Sequence, residues 1–141
     1  MNPVKQYLSR YRNLQIKCRT LESTIESLRE RAESITINLD PNKVQSSSKI
    51  HDPIAEAAAS IADTERLLAE ARAESELVMN RITKVIMSMD DDRLQTLLVL
   101  RYINGESWED IAEEMSYSVR QIYNLHGIAL NLIGKHFIEL Q

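Results

Sequence analysis

SWEDIAEEMSYSVRQIYNLHGIAL, residues 107–130, decides how the C-terminal part of this chain folds. Ser107 can cap the start of a helix, and Asp110 three residues later completes the pattern of a capping box. Ser118 and Gln121 repeat the same spacing further along the chain. The stretch therefore predicts two short helices that are joined by a turn.

Each predicted helix has one apolar face, with residues at the i, i+3, i+4 and i+7 spacing of a buried helical stripe. In the first helix these residues are Trp108, Ile111, Ala112 and Met115. In the second helix they are Val119, Ile122, Leu125, Ile128 and Ala129. The residues predicted to point outward from the second helix are Ser118, Arg120, Gln121, Tyr123 and Asn124.

The turn between the helices is very short, because only Ser116 and Tyr117 precede the cap at Ser118. A turn of this length predicts that the helices cross steeply, as in a helix-turn-helix, and Ala112 supplies the small residue needed where they touch. The first turn position of such motifs is often glycine, which adopts positive φ without strain. Ser116 at this position is expected to cost about 1 kcal/mol.

The motif resembles the helix-turn-helix of sigma-70 region 4, and more closely the phage late-transcription regulators of the ArpU/RinA type. The resemblance is carried by RYINGESWEDIAEEMSYS (101–118) and VRQIYNLHGIAL (119–130), in the last third of the chain. It implies recognition of promoter DNA, activation of phage late genes in the bacterial cytoplasm, and contact with RNA polymerase.

The outward side chains of the second helix are chemically suited to the edges of DNA bases. Arg120 can pair with guanine, Gln121 and Asn124 can pair with adenine, and Tyr123 can reach a phosphate or a thymine methyl group. Together with Ser118, these are the predicted DNA-binding residues. The plainer explanation is that polar residues cover the exposed face of any surface helix.

Two long helices with coiled-coil seams are predicted upstream, at about 4–35 and 54–89, with a polar linker at 36–53. The first seam alternates four and three steps through Tyr7, Tyr11, Leu14, Cys18, Leu21, Ile25, Leu28, Ala32 and Ile35. The second has the same spacing through Ile54, Ala57, Ile61, Thr64, Leu68, Ala71, Ser75, Val78, Ile82, Val85 and Met89. The seams can pair within one chain as an antiparallel hairpin or between chains as a coiled coil, and the sequence does not choose. Small residues in the second seam favour a homo-oligomer in which another copy completes the packing.

A further helix is predicted at about 93–103, with an N-cap from Asp90–Asp92 and an end at Asn104–Gly105. Trp108 and Tyr102 are the largest predicted core residues here, and the residues after 130 either extend the last helix or fold back on it. The predicted fold is therefore all-α. It has a helical hairpin or coiled coil at 1–89 and a small helix-turn-helix bundle at 90–141.

The charge distribution does not favour DNA binding by the C-terminal bundle alone. Residues 90–141 contain four Lys and Arg against nine Asp and Glu, a net charge of minus five, whereas DNA affinity depends largely on basic residues that neutralise phosphates. A run of basic residues before the first acid, Glu22, offers auxiliary phosphate contacts. These residues are Lys5, Arg10, Arg12, Lys17 and Arg19. An ordinary solvated helix face accounts for them equally well.

Catalytic and metal-binding functions are not indicated, and no cofactor is expected. Cys18 occupies a seam position where cysteine usually packs as a small apolar residue. The histidines at 51, 126 and 136 lack zinc-ligand spacing, and His126 is expected to pack or to contact a phosphate. Asp90–Asp92 is explained as a cap.

Membrane-spanning and signal segments are not predicted. The sequence contains no run of 18 apolar residues, which a membrane span would need. The N-terminus also lacks an apolar segment of signal-peptide length.

Three functional hypotheses follow. The first is a sequence-specific transcriptional regulator that binds double-stranded DNA through residues 118–130. The second is a protein-interaction module whose acidic C-terminal bundle binds a basic surface of RNA polymerase and does not read bases. The third is a phage small terminase subunit, against which the C-terminal position of the motif argues.

Overall fold

The computed structural model describes residues 2–38 and 52–140, with side chains described as far as His136. The helices are α1 (Pro3–Ile37), α2 (Pro53–Met87), α3 (Asp92–Leu98), α4 (Trp108–Met115) and α5 (Val119–Leu140). No β-strand occurs in these described residues, and α1 packs with α2, which confirms the predicted all-α class with a helical hairpin. Residues 39–51 of the predicted linker, including His51, lie outside the described residues.

Short polar side chains fix the starts of three helices. Asn2 Oδ1 accepts hydrogen bonds from the backbone N–H groups of residues 4 and 5. Asp52 Oδ1 does the same for residues 54 and 55, with Pro53 in the first turn of α2, where its missing N–H has no cost. Asp91 accepts from the backbone N–H of Arg93 at 2.9 Å, which confirms the acidic cap predicted for α3.

Contacts divide the chain into two compact units. The bundle unit consists of Met1–Gln15 and Glu74–Gln141, and the hairpin unit consists of Ile16–Ala73. The bundle unit thus includes the first turns of α1 and the last turns of α2, from Glu74, together with the C-terminal helices. The predicted domain boundary between residues 89 and 90 stays a prediction.

The helices of the hairpin unit are antiparallel. Glu22 pairs with Arg72 at 2.7 Å, and Arg29 pairs with Glu65 at 2.7 Å, so a step of seven residues along α1 matches a step of seven back along α2. These exposed ion pairs contribute at most about 1 kcal/mol each. Among the described residues of this unit, the buried apolar side chains are Ile25, Leu68 and Ala71.

The predicted seams account for most of the inward side chains of α1 and α2. All nine residues of the first seam are buried or half-buried. In the second seam the prediction for Ile54 is wrong, because this side chain is 45% exposed in the first turn of α2. The helix also ends at Met87, two residues before the predicted end.

The core of the bundle unit consists of two clusters of buried side chains. The first joins α1 and α2 to α3 and α5, and its members are Val4, Leu8, Val78, Ile82, Val85, Ile86, Leu94, Leu98, Tyr102, Ala129, Leu130 and Ile133. The second lies between α3, α4 and α5, and its members are Leu97, Leu100, Ile111, Ala112 and Ile122. The C-terminal helices therefore share their core with the start of α1.

Helix α3 does not end in α-helical geometry. It continues as a π-helical turn over Val99–Ile103, in which the N–H of Asn104 donates to the carbonyl of Val99 at 2.9 Å. The predicted stop at Asn104–Gly105 is confirmed, and Gly105 has a φ of +71°, which suits glycine. Helix α5 runs without interruption to Leu140, so the alternative in which the last residues fold back is wrong.

Candidate nucleic-acid interface

The turn between α4 and α5 has a left-handed residue at the position predicted from the sequence. Ser116 adopts φ 60° and ψ 41°, and the N–H of Tyr117 donates to the carbonyl of Ala112 at 2.9 Å. This is the hydrogen-bond pattern of a Schellman motif, in which glycine is more usual. Beneath the turn, Ile111 and Ile122 are completely buried against each other's helices. The turn and this packing fix α5 on α4.

Both predicted N-cap serines are in place, but the return hydrogen bond predicted from the Asp110 side chain to Ser107 does not form among the described residues. Ser107 Oγ accepts from the N–H of Asp110 at 3.1 Å. At the start of α5 the capping box is reciprocal, because Ser118 Oγ accepts from the N–H of Gln121 at 3.1 Å and Gln121 Oε1 accepts from the N–H of Ser118 at 2.8 Å. The carboxamide oxygen of Gln121 is therefore engaged in the cap, and a bidentate contact between Gln121 and adenine would require the cap to open.

The exposed face of α5 is longer than the sequence predicts. All five predicted DNA-binding residues are exposed, from Ser118 to Asn124. The exposed face then continues to the end of the described side chains. We define the outward stripe as Arg120, Asn124, Gly127, Ile128, Asn131 and Lys135, all of which are exposed.

The prediction that Ile128 is buried is wrong, because its side chain is 51% exposed. The buried residues Ile122, His126, Ala129 and Ile133 define the inner face of α5. At about 100° per residue, Ile128 lies about 130° away from the centre of that face. A helical-wheel projection centred on these residues therefore identifies Ile128 as a surface residue, whereas the i+3 and i+4 spacing alone does not.

Arg120 and Asn124 have free polar groups. Neither side chain forms a hydrogen bond or an ion pair within the part of the chain that the structure describes. Tyr123 is half-exposed, and its ring meets the edge of Trp108 with 5.4 Å between the centroids. The stripe therefore presents two unpaired polar groups beside an aromatic ring that α4 holds in place.

Trp108 joins α4 to α5 through a cluster of cationic and aromatic groups. The guanidinium of Arg101 lies 4.2 Å from the centroid of the Trp108 ring, and the His126 ring meets that ring edge-on at 4.7 Å. On its other side His126 stacks on Tyr102, and the Tyr102 hydroxyl lies 2.6 Å from His126 Nε2. His126 is thus a packing histidine in the core, which is one of the two predicted alternatives.

The environment of His126 favours its neutral form. Burial and, to a smaller extent, the positive charges of Lys5 and Arg101 together lower the pKa of His126 from 6.5 to about 4. Burial also raises the pKa of Tyr102 to about 12. At neutral pH the Tyr102 hydroxyl can therefore donate to an unprotonated His126 Nε2.

Protonation of His126 is expected to lower the free energy of unfolding as the pH falls. Because the pKa of His126 is lower in the folded chain than in the unfolded chain, its contribution is complete above pH 6.5 and is lost as the pH falls towards 4. The expected loss is about 1–2 kcal/mol, which allows for partial access of solvent. His126→Gln keeps an acceptor for Tyr102 but cannot titrate, so its free energy of unfolding should fall less over this interval. Urea unfolding at pH 7, 5.5 and 4.5 measures the difference, and parallel losses in both proteins would contradict the role of His126.

The predicted auxiliary phosphate contacts are all exposed, but they are not equivalent. Lys5 follows Val4, which lies against Gly134 of α5, and the charge of Lys5 lowers the pKa of His126. Arg10 forms a 3.9 Å ion pair with Glu74. Arg12 belongs to the bundle unit as well, whereas Lys17 and Arg19 belong to the hairpin unit.

Helix α4 presents an acidic surface. Glu109, Asp110, Glu113 and Glu114 are all exposed. Burial of the Glu106 carboxyl group raises its pKa, and the neighbouring Glu114 and Asp110 raise it further. Glu106 Oε2 is buried and has no hydrogen-bond partner among the described residues. This surface repels phosphate and suits a basic partner.

No protein-family model, curated protein or solved structure matches this chain. The resemblance to sigma-70 region 4 therefore stays a prediction from the motif. None of the helices in residues 2–38 and 52–140 is long and apolar enough to cross a membrane. Within the same residues, no three His, Cys, Asp or Glu side chains lie close enough together to hold a metal ion.

Proposed function

We propose that this protein is a sequence-specific DNA-binding transcriptional regulator that reads the major groove with α5. The observation that carries the proposal is the outward stripe, which begins with the unpaired side chains of Arg120 and Asn124. The α4–α5 turn fixes the helix that bears them. A helix after a short turn, with free polar groups near its N-terminus, is the arrangement with which helix-turn-helix proteins contact bases.

Each residue near the start of α5 has a role in this proposal. Arg120 forms a bidentate contact with guanine, and Asn124 forms one with adenine. Tyr123, held by Trp108, reaches a phosphate or a thymine methyl group. Ser118 and Gln121 hold the N-terminus of α5 through the capping box, and the Gln121 amide nitrogen can still donate to DNA.

Affinity requires more positive charge than α5 provides. Lys5 supplies one phosphate contact beside α5, and Arg12 can supply another from the same unit. A second copy, paired through the N-terminal helices, adds a second recognition helix and multiplies affinity when the half-sites are suitably spaced. The resemblance adds that the genes regulated are phage late genes in a bacterial host.

The acidic surface of α4 favours a second candidate function. In that case the bundle unit binds a basic surface of RNA polymerase through Glu109, Glu113 and Glu114, and α5 does not read bases. The two functions make opposite demands on the same carboxylates, because negative charge weakens contact with DNA and strengthens contact with a basic protein.

Selection from a randomised duplex library, followed by footprinting with and without bacterial RNA polymerase, tests the proposal. A DNA reader is expected to enrich one sequence and to protect it without polymerase. Changing Glu109, Glu113 and Glu114 to Gln should strengthen DNA binding by a reader and weaken polymerase binding by an interaction module. Protection that appears only with polymerase, without any enriched sequence, would favour the second candidate.

A further inference from the structure

Gly127 is an exposed glycine in the interior of α5, with no structural reason to be there. Apart from the adjacent residues and the local helix backbone, an alanine Cβ at this position would meet no atom of the described residues within 4 Å. Positive φ does not explain the residue either, because Gly105 is the glycine with positive φ among the described residues. Glycine in a helix interior lowers stability relative to alanine. The free chain would therefore be more stable with alanine.

Gly134 lies seven residues further along α5, but its surroundings differ from those of Gly127. A Cβ at Gly134 would lie 3.6 Å from Val4 Cγ2, which is ordinary van der Waals contact with α1. The two glycines lie on similar sides of the helix, since seven residues are nearly two helical turns. Val4 of α1 therefore occupies the space beside Gly134, whereas no side chain of the described residues occupies the corresponding space beside Gly127.

The surroundings of Gly127 indicate which partner fills this space. Ile128 adjoins it and is half-exposed, and Asn124 and Asn131 lie one turn before it and one turn after it. The charged side chains described on the outward stripe are those of Arg120 and Lys135, and both are basic. A polyanion therefore fits this face better than a second copy of this acidic bundle unit.

We infer that Gly127 marks the closest approach of α5 to a DNA duplex, with Ile128 packed against the methyl group of a thymine. This inference rests on the proposed function. It extends the part of α5 that contacts the bases, so that this part runs from Arg120 to Asn131. That distance is about 16 Å along the helix axis. A helix with its side chains is about as wide as the major groove, so the missing Cβ allows the backbone to approach the bases more closely. An exposed isoleucine beside the glycine suits the apolar methyl group of thymine.

Gly127→Ala and Gly134→Ala form a matched pair that tests the closest approach. Both changes should raise the melting temperature by about 2–4 °C, because each replaces a helical glycine with alanine. On the duplex enriched by the wild-type protein, Gly127→Ala should bind at least tenfold more weakly, whereas Gly134→Ala should bind as the wild type does. Wild-type affinity for Gly127→Ala, or equal losses for both variants, would overturn the inference. If the wild-type protein enriches no duplex, the proposed function itself fails.

Removal of single thymine methyl groups tests the role of Ile128. Each thymine of the enriched duplex is replaced in turn by deoxyuridine, and binding is measured for the wild-type protein and for Ile128→Ala. One replacement should weaken wild-type binding about three- to tenfold and leave the binding of Ile128→Ala unchanged. If no position shows this dependence on Ile128, the contact with thymine is wrong, even where the Gly127 result holds.

Discussion

Arg120→Ala is expected to abolish specific retention of the selected DNA duplex in a gel shift at moderate salt. The guanidinium of Arg120 is exposed and has no partner among the described residues. All its N–H groups are therefore available to donate hydrogen bonds to DNA. A bidentate contact between arginine and guanine contributes about 1–3 kcal/mol of discrimination, and its loss corresponds to about 10–100-fold in affinity. The effect is expected to be large because Arg120 is the basic residue in the first turn of α5.

Two measurements separate a base contact from a general loss of charge. Arg81→Ala removes the same charge from an exposed position on α2 outside the outward stripe, and it should retain the affinity of the wild type. On a scrambled duplex Arg120→Ala should lose only the few-fold expected for one phosphate contact. Equal retention of the selected duplex by Arg120→Ala and the wild type would contradict the assigned reading face.

Leu8→Ala is expected to destabilise the protein by about 3–4 kcal/mol. Leu8 is completely buried in the cluster that contains Ile82, Ile86, Leu94 and Ala129. Its removal leaves a cavity where α1 meets the C-terminal helices. Urea unfolding measures the loss, with circular dichroism for the helices and fluorescence of the single tryptophan, Trp108, for the bundle unit.

Leu77→Ala is the matched control, because the same atoms are removed from a side chain that is 57% exposed. Leu77→Ala should change the free energy of unfolding by no more than about 0.5 kcal/mol.

A fragment of residues 90–141 lacks the α1 and α2 side chains of the first cluster. This fragment is therefore expected not to fold on its own. Independent folding of this fragment would show that α1 and α2 are dispensable for the core of the bundle unit.

The local features of the C-terminal motif were predictable from the sequence because they depend on neighbouring residues. The cap at Ser107, the capping box at Ser118 and Gln121, and the left-handed residue at Ser116 all form as predicted. Each is a hydrogen bond or a backbone conformation within a few residues of chain. The seams were equally predictable, because a repeat of three and four steps specifies one face of a helix.

Features that depend on distant residues were not predictable from the same patterns. The burial of Val4 and Leu8 against α5 follows from the tertiary packing of α1, which the heptad pattern does not specify. The surroundings of His126 depend on Tyr102 and Trp108, which lie on other helical segments. The exposure of Ile128 does not follow from the i+3 and i+4 spacing, because that spacing does not locate the centre of the buried face.

The π-helical turn at Val99–Ile103 also changes how the chain can vary in length. A π-helical turn holds one residue more than an α-helical turn, so this helix accommodates an extra residue without lengthening a loop. Deleting one residue from this turn would restore the α-helical repeat, and the chain that follows would keep nearly the same direction, because the wide turn already absorbs the extra residue. Arg101 and Tyr102, which contact Trp108 and His126, lie within the turn itself, so the deletion would move their side chains relative to these partners. The extra residue therefore serves these two contacts and leaves the direction of the recognition helix nearly unchanged.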